Sequence, residues 1–248
     1  MENLLTKNVT YLGIRNSLNG DETEIKKFIN NVESPTIKER IIDEAKEFYS
    51  QNFNVQKEDI WYGDISCRFP ECKNPFPFSH VIGSIDLGQT VINMDKLVYC
   101  EGISSTGVQK FPNLEVINGV GNFNGTTHRK SYLVSLPKLK VTPYLYCANS
   151  CIKELALEQA IKVNLTNSSI RKINLKVVEE DLSVSFSPIK DISSLERVGN
   201  FNCRGTDIEL VNSNLEIYGK LHAENSNNFE GKITTEHHAS WHTDNGEI

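Results

Sequence analysis

LTNSSIRKI, residues Leu165 to Ile173, decides how this chain is read, because three other stretches follow the same template. They are CANSCIKEL (147–155), SFSPIKDI (185–192) and CRGTDIELV (203–211). Each places an isoleucine after a short polar turn and a second apolar residue three positions later. The isoleucines are Ile152, Ile170, Ile189 and Ile208, at intervals of 18, 19 and 19 residues, and their followers are Leu155, Ile173, Ile192 and Val211. Working backward, Leu133 with Leu136, Val108 with Phe111 and Val91 with Met94 extend the series at intervals of 19, 25 and 17. A fixed period of this size marks a repeat architecture, in which each unit buries its apolar face only against its neighbours.

Upstream of each isoleucine lies a short alternating segment. Five positions before stand Cys147, Leu165, Val184 and Cys203, and seven before stand Leu145, Val163, Leu182 and Phe201. Alternation with period two is how a strand turns one face into a core. Two positions before the isoleucine stand Ser150, Ser168, Ser187 and Thr206, with Thr106 and Gln89 at the equivalent place in earlier copies. A buried turn must pair its backbone amides and carbonyls, and a column of short hydroxyls can do so from one turn to the next. Cys147 and Cys203 share the inward column with Leu165 and Val184, so they read as small buried hydrophobes. A disulfide between them would have to bridge about three repeats, which its geometry forbids.

These residues resemble leucine-rich repeats. The family pattern L-x-L-x-x-N-x-L-x-x-L is matched by V-N-L-T-N-S-S-I-R-K-I from Val163 to Ile173, with Ser or Thr replacing the asparagine column. The substitution is similar to the divergent repeats of bacterial and phage proteins. SLPKLK (135–140) and FPNLEVI (111–117) also resemble the end of such repeats. Turns every 18 to 20 residues also suit a parallel β-helix or a meandering sandwich. The second half of each unit, such as KELALEQA, reads as less strand-like than a β-helix coil. The expectation is therefore an α/β solenoid: a leucine-rich-repeat-like stack of parallel strands with an α-rich N-terminal cap or small domain. The boundaries are 1–79 for the cap, 80–235 for the solenoid and 236–248 for a polar tail.

In the first segment, Asp21 starts a helix, with Glu24 as capping-box partner ahead of IKKFINNV. Ser34-Pro35 starts a second, whose Ile37, Ile41, Ile42, Ala45 and Phe48 share one face. The stretch from Gln51 to Ile65 adds a strand carrying Trp61 and Tyr62.

Composition narrows the function. The chain has 248 residues, 38% apolar and 23% charged, which suits a folded core rather than disorder. Its net charge of −6 comes with no basic stripe, which argues against a nucleic-acid partner. No run approaches a membrane span and MENLLTKNVTYLG does not read as a signal peptide, so the expected setting is cytoplasmic, with thiols reduced. No cofactor fingerprint is present, and the glycines of INGVGNFNG fall inside the repeat register. His237, His238 and His242 read as a solvated tail, and Cys67, Cys72 and His80 as a turn rather than a zinc site, since a second ligand pair is missing.

The remaining surface is the outward face of the strands, concave in a curved repeat stack. Its rows are Tyr144, Tyr146 and Ala148; Lys162, Asn164 and Thr166; Asp181, Ser183 and Ser185; Asn200, Asn202 and Arg204; Lys220, His222 and Glu224. Tyr and Arg are frequent interface anchors. The 25-residue interval adds a loop at 125–132 carrying His128, Arg129 and Lys130, and insertions in repeat proteins often sit on the binding face. The expected function is a non-enzymatic module that binds a protein partner through this face, as a bacterial or phage adaptor or inhibitor. The alternatives are an enzyme using Glu39, Asp43 or Asp64 of the N-terminal region, and a carbohydrate-active β-helix.

Overall fold

A computed structural model describes residues 9–66, 74–108 and 110–226. The chain is a parallel-strand β-solenoid of about eight turns with a few helices. One long sheet runs through strands Ile60–Tyr62, His80–Gly88, Tyr99–Ser105, Val120–Asn122, Tyr144–Tyr146, Gln159–Asn164, Val177–Ser183 and Arg197–Asn202, and closes on Glu216–Ile217 and Leu221–His222. Successive strands pair in parallel, with Val163 opposite Leu145 on one side and Leu182 on the other. The sheet begins at Ile60, which pairs with His80, so strand pairing starts ahead of residue 80.

The inward columns are filled as the repeat requires. Leu145, Val163, Leu182 and Phe201 are buried, as are Cys147, Leu165, Val184 and Cys203, and the isoleucine column Ile152, Ile170, Ile189 and Ile208. Each such side chain contributes roughly 1.5–3 kcal/mol on leaving water. The cysteines are free; burial pushes the Cys147 thiol up and the Cys203 thiol up to about 12, which leaves them as packing groups.

The earliest copies depart from the simple count. Val91 is 72% exposed, and Ile92 and Met94 take the inward places. Gln89 is exposed and Thr106 only half-buried, while Ser105 is the buried hydroxyl of that turn and accepts from Val108 N at 3.2 Å. The pairing register shifts between Val81 and Ser84 and between Asp86 and Gly88, so counting in twos fails there.

The return half of each turn holds short strands rather than helices. Ser135–Leu136 pairs with Glu154–Leu155, and Asp191–Ile192 with Leu210–Val211. These segments are too short for several helical turns, and Pro112, Pro137, Pro143 and Pro188 remove the amides a helix interior needs. Turn stacking is reinforced by ion pairs between neighbours, among them Lys172 with Asp191 at 2.8 Å and Lys176 with Glu158 at 2.7 Å. Exposed pairs of this kind contribute about 0–1 kcal/mol each.

Three helices precede the sheet: α1 (Tyr11–Ser17), α2 (Glu22–Asn30) and α3 (Pro35–Phe53). Thr10 caps α1 by accepting from Gly13 N, and Asp21 caps α2 by accepting from Thr23 N and Glu24 N. Their buried side chains Tyr11, Ile14, Ile25, Ile29, Ile41 and Ala45 form a second core with Ile60, Tyr62 and Ile82 of the first strands. At its centre, Glu22 accepts from Tyr11 OH at 2.8 Å and Tyr62 OH at 3.0 Å, and pairs with Arg15.

Candidate binding face

Because inward and outward positions alternate, the parallel register stacks the outward residues into columns. One column runs Tyr144, Lys162, Asp181, Asn200. The next runs Tyr146, Asn164, Ser183, Asn202, His222. Neighbours in a column lie about 4.8 Å apart, one strand spacing. Both tyrosines are half-buried against the sheet.

Within these columns the polar groups bind one another. Lys162 pairs with Asp181, and Asn200 Nδ2 donates to Asp181 Oδ1 at 2.8 Å. The hydrogen bond from Lys162, then that from Asn200, holds the Asp181 carboxyl below its ordinary range. Thr166, Ser183 and Ser185 form a hydroxyl triangle with edges of 2.8, 3.2 and 3.2 Å. Arg204 Nε faces Glu224 Oε2 at 3.4 Å.

Asn164 and Asn202 have a second task. Asn164 Oδ1 accepts from Thr166 N at 3.0 Å and Asn202 Oδ1 from Arg204 N at 3.3 Å, so each shapes the turn that leaves its strand. Asn122 does the same for Asn124 N at 3.2 Å. The carbonyl end of each amide is thus committed to the backbone.

The face extends further toward the N-terminus than the sequence rows suggested. The column continues from Tyr146 through Asn122, Ser104 and Asp86 to Ser66. A groove of about 640 Å³ opens there, lined by Asp64, Ser84, Asp86, Gly102, Ser104 and Asn122. Alternation in HVIGSIDLG and YCEGISS was the available signal, but the register shifts interrupt it. A second groove of about 690 Å³ lies on the flank, lined by Val141, Thr142, Pro143, Ala160, Ile161 and Val177 among others.

Phe186 was not legible as special. It is 59% exposed and left-handed (φ 56°), in a column otherwise occupied by Asn149, Asn167, Gly205 and Asn225. Its ring lies over Gly205, where an added Cβ would come within 2.8 Å of it. A bulky residue in this conformation costs roughly 1–3 kcal/mol and is therefore a candidate for a selected surface contact.

The loop residues His128, Arg129 and Lys130 are exposed, and Arg129 Nη1 donates to Gln89 Oε1 at 2.8 Å. Of the carboxylates considered for catalysis, Asp43 accepts from Lys57 at 2.6 Å and lines a cavity beside α1 and α3, while Asp64 lines the outward groove. The structure does not bring these two to one cavity. His80 is buried with Nδ1 2.9 Å from Ser79 Oγ, its ring 4.8 Å from that of Phe53, which also contacts Tyr99. Cys67, Cys72, His237, His238 and His242 lie outside the described residues. Among the described residues, no three His, Cys, Asp or Glu side chains cluster to hold a metal ion, and no helix is long and apolar enough to cross a membrane.

No family model, curated protein or solved structure matches the chain.

Proposed function

We propose that this chain is a non-enzymatic, leucine-rich-repeat-like binding module that holds a protein partner on its outward strand face, a bacterial or phage adaptor or inhibitor acting in the cytoplasm. The observation that carries the reading is the unbroken outward column Tyr146, Asn164, Ser183, Asn202, His222, a polar surface fixed in register by the sheet. An extended preorganised surface is the usual asset of a repeat protein, because little ordering entropy is lost on binding. The helices act as the cap that covers the first turn, supported by the core they share with Ile60 and Ile82. The likeness to leucine-rich repeats rests on the strand and turn half of each unit.

The test is capture from host lysate with wild-type chain and with a Tyr146→Ala, Arg204→Glu variant whose fold is checked by circular dichroism. A protein retained stoichiometrically by the wild type and lost by the folded variant supports the reading. Equal retention by both places the binding surface elsewhere.

A further inference from the structure

The loop at 125–132 is built as a rigid support for one cation. Its base is tied to the next turn by Gly125 N donating to Ala148 O and Ser131 N donating to Asn149 O, both at 2.8 Å. Tyr132 N donates to Thr106 O of the preceding turn at 3.1 Å. Gly125 has to be glycine, since a Cβ there would stand 2.2 Å from Asn149 O. The tip closes on itself, with Thr126 N donating to Arg129 O at 2.7 Å and Arg129 N to Thr126 Oγ1 at 3.0 Å. The Arg129 guanidinium is then fixed from two sides. Nη1 donates to Gln89 Oε1, 40 residues back, and the guanidinium carbon lies 5.5 Å from the centroid of the Tyr132 ring.

An arginine held by a phenol and an amide has already lost much of its side-chain freedom, so less is lost when it engages a ligand. Its planar fork matches a carboxylate, and His128 and Lys130 flank it at the exposed tip. In a chain of net charge −6 this three-residue basic run stands out. From this charge complementarity and the bracing of the loop, we infer that the 125–132 loop is a preformed contact for a carboxylate-rich segment of a protein partner. The inference rests on the reading of the chain as a protein-binding module. A nucleic acid fits worse, because its continuous phosphate chain would run on past Asp64, Asp86 and Asp181 on the outward face, which a short acidic segment on the loop need not reach.

The test is fluorescence anisotropy of the full chain at low salt with a labelled peptide of alternating Glu and Gly, its Lys counterpart, and a single-stranded oligodeoxynucleotide. Variants are Arg129→Gln, Arg129→Lys and Val141→Ala, each checked by thermal melting. The expected result is binding of the Glu peptide alone. Arg129→Gln should weaken it about tenfold, Arg129→Lys should be intermediate because the fork is lost, and Val141→Ala, exposed on the flank away from the loop, should not change it. Failure of the wild type to bind the Glu peptide overturns the inference, as does equal binding by Arg129→Gln or tighter binding of the oligonucleotide. Failure of the parent reading shows separately, as lysate capture unaffected by the Tyr146→Ala, Arg204→Glu substitutions.

Discussion

Ser168 and Ser187 occupy the same buried turn position in successive turns, with their hydroxyl oxygens 3.2 Å apart. Ser187 Oγ also accepts from Ser168 N at 3.0 Å and donates to Leu165 O at 2.6 Å. One hydroxyl therefore pairs a buried amide and a buried carbonyl of the preceding turn. Thr206 and Ser226 repeat the contact, at 3.4 Å, two steps further along.

Ser187→Ala leaves Ser168 N and Leu165 O with only their own 3.2 Å hydrogen bond. Loss of the two bonds to Ser187 should cost about 1–2 kcal/mol in urea denaturation, more than for an exposed serine such as Ser193. Equal effects at the two positions would contradict a structural role for the hydroxyl column.

Phe186→Gly should stabilise the fold by about 1 kcal/mol, because glycine adopts the left-handed conformation without the Cβ clash. The same substitution should weaken partner binding if the exposed ring is a contact. Thermal melting reads the first effect and affinity the second. A destabilised variant would mean that packing over Gly205 outweighs the backbone strain.

How much of this was visible in the sequence depended on local regularity. From Leu145 to Ala223 the columns counted back in twos from each isoleucine fall where the structure puts them, because the register shifts there, between Ala160 and Lys162 and between Val178 and Asp181, lie upstream of the inward pairs. The hydroxyl column was legible at Ser150, Ser168, Ser187 and Thr206, yet Ser131, buried in the same column, was passed over because the insertion precedes it. Toward the N-terminus the register shifts at Val81–Ser84 moved residues off the count, which hid the Asp64–Asn122 groove. Helix α1 was missed because its buried residues, Tyr11 and Ile14, are too few to show a period; Thr10 was the only cue. Left-handed backbone at Phe186 has no signature in a residue type that normally avoids it.

Alkaline pH should loosen the helices from the sheet. Burial, opposed by the hydrogen bond with Tyr49 and reinforced by the charge and hydrogen bond of Glu22, raises the Tyr11 phenol to about 12, and Tyr49 and Tyr62 are raised further by burial and Glu22. A group with a raised folded-state pKa stabilises fully below its unfolded value of 10 and loses that contribution as pH rises through the folded value. The phenolate absorbance of Tyr11, Tyr49 and Tyr62, read as the part lost in their Phe variants, should therefore appear together with loss of helical circular dichroism above pH 10. Ionisation of these three phenols with the fold intact would contradict the buried network.

Mild acid acts at His80. Burial lowers its pKa from 6.5 against the opposing pull of Asp59. The unfolded chain therefore takes up the proton first, and the stabilisation present above 6.5 declines as pH falls below it. His80→Phe, which keeps a ring against Phe53, should flatten the dependence of stability on pH across this window. An unchanged slope would assign the acid sensitivity to other groups.

The account stands most directly on the affinity of the captured partner for single alanine variants of the two exposed surfaces. Tyr146→Ala, in the outward column, should weaken binding at least tenfold, a change of about 1.4 kcal/mol, while Val141→Ala on the flank groove should leave it unchanged. The reverse pattern would place the partner on the flank and contradict the outward face as the working surface.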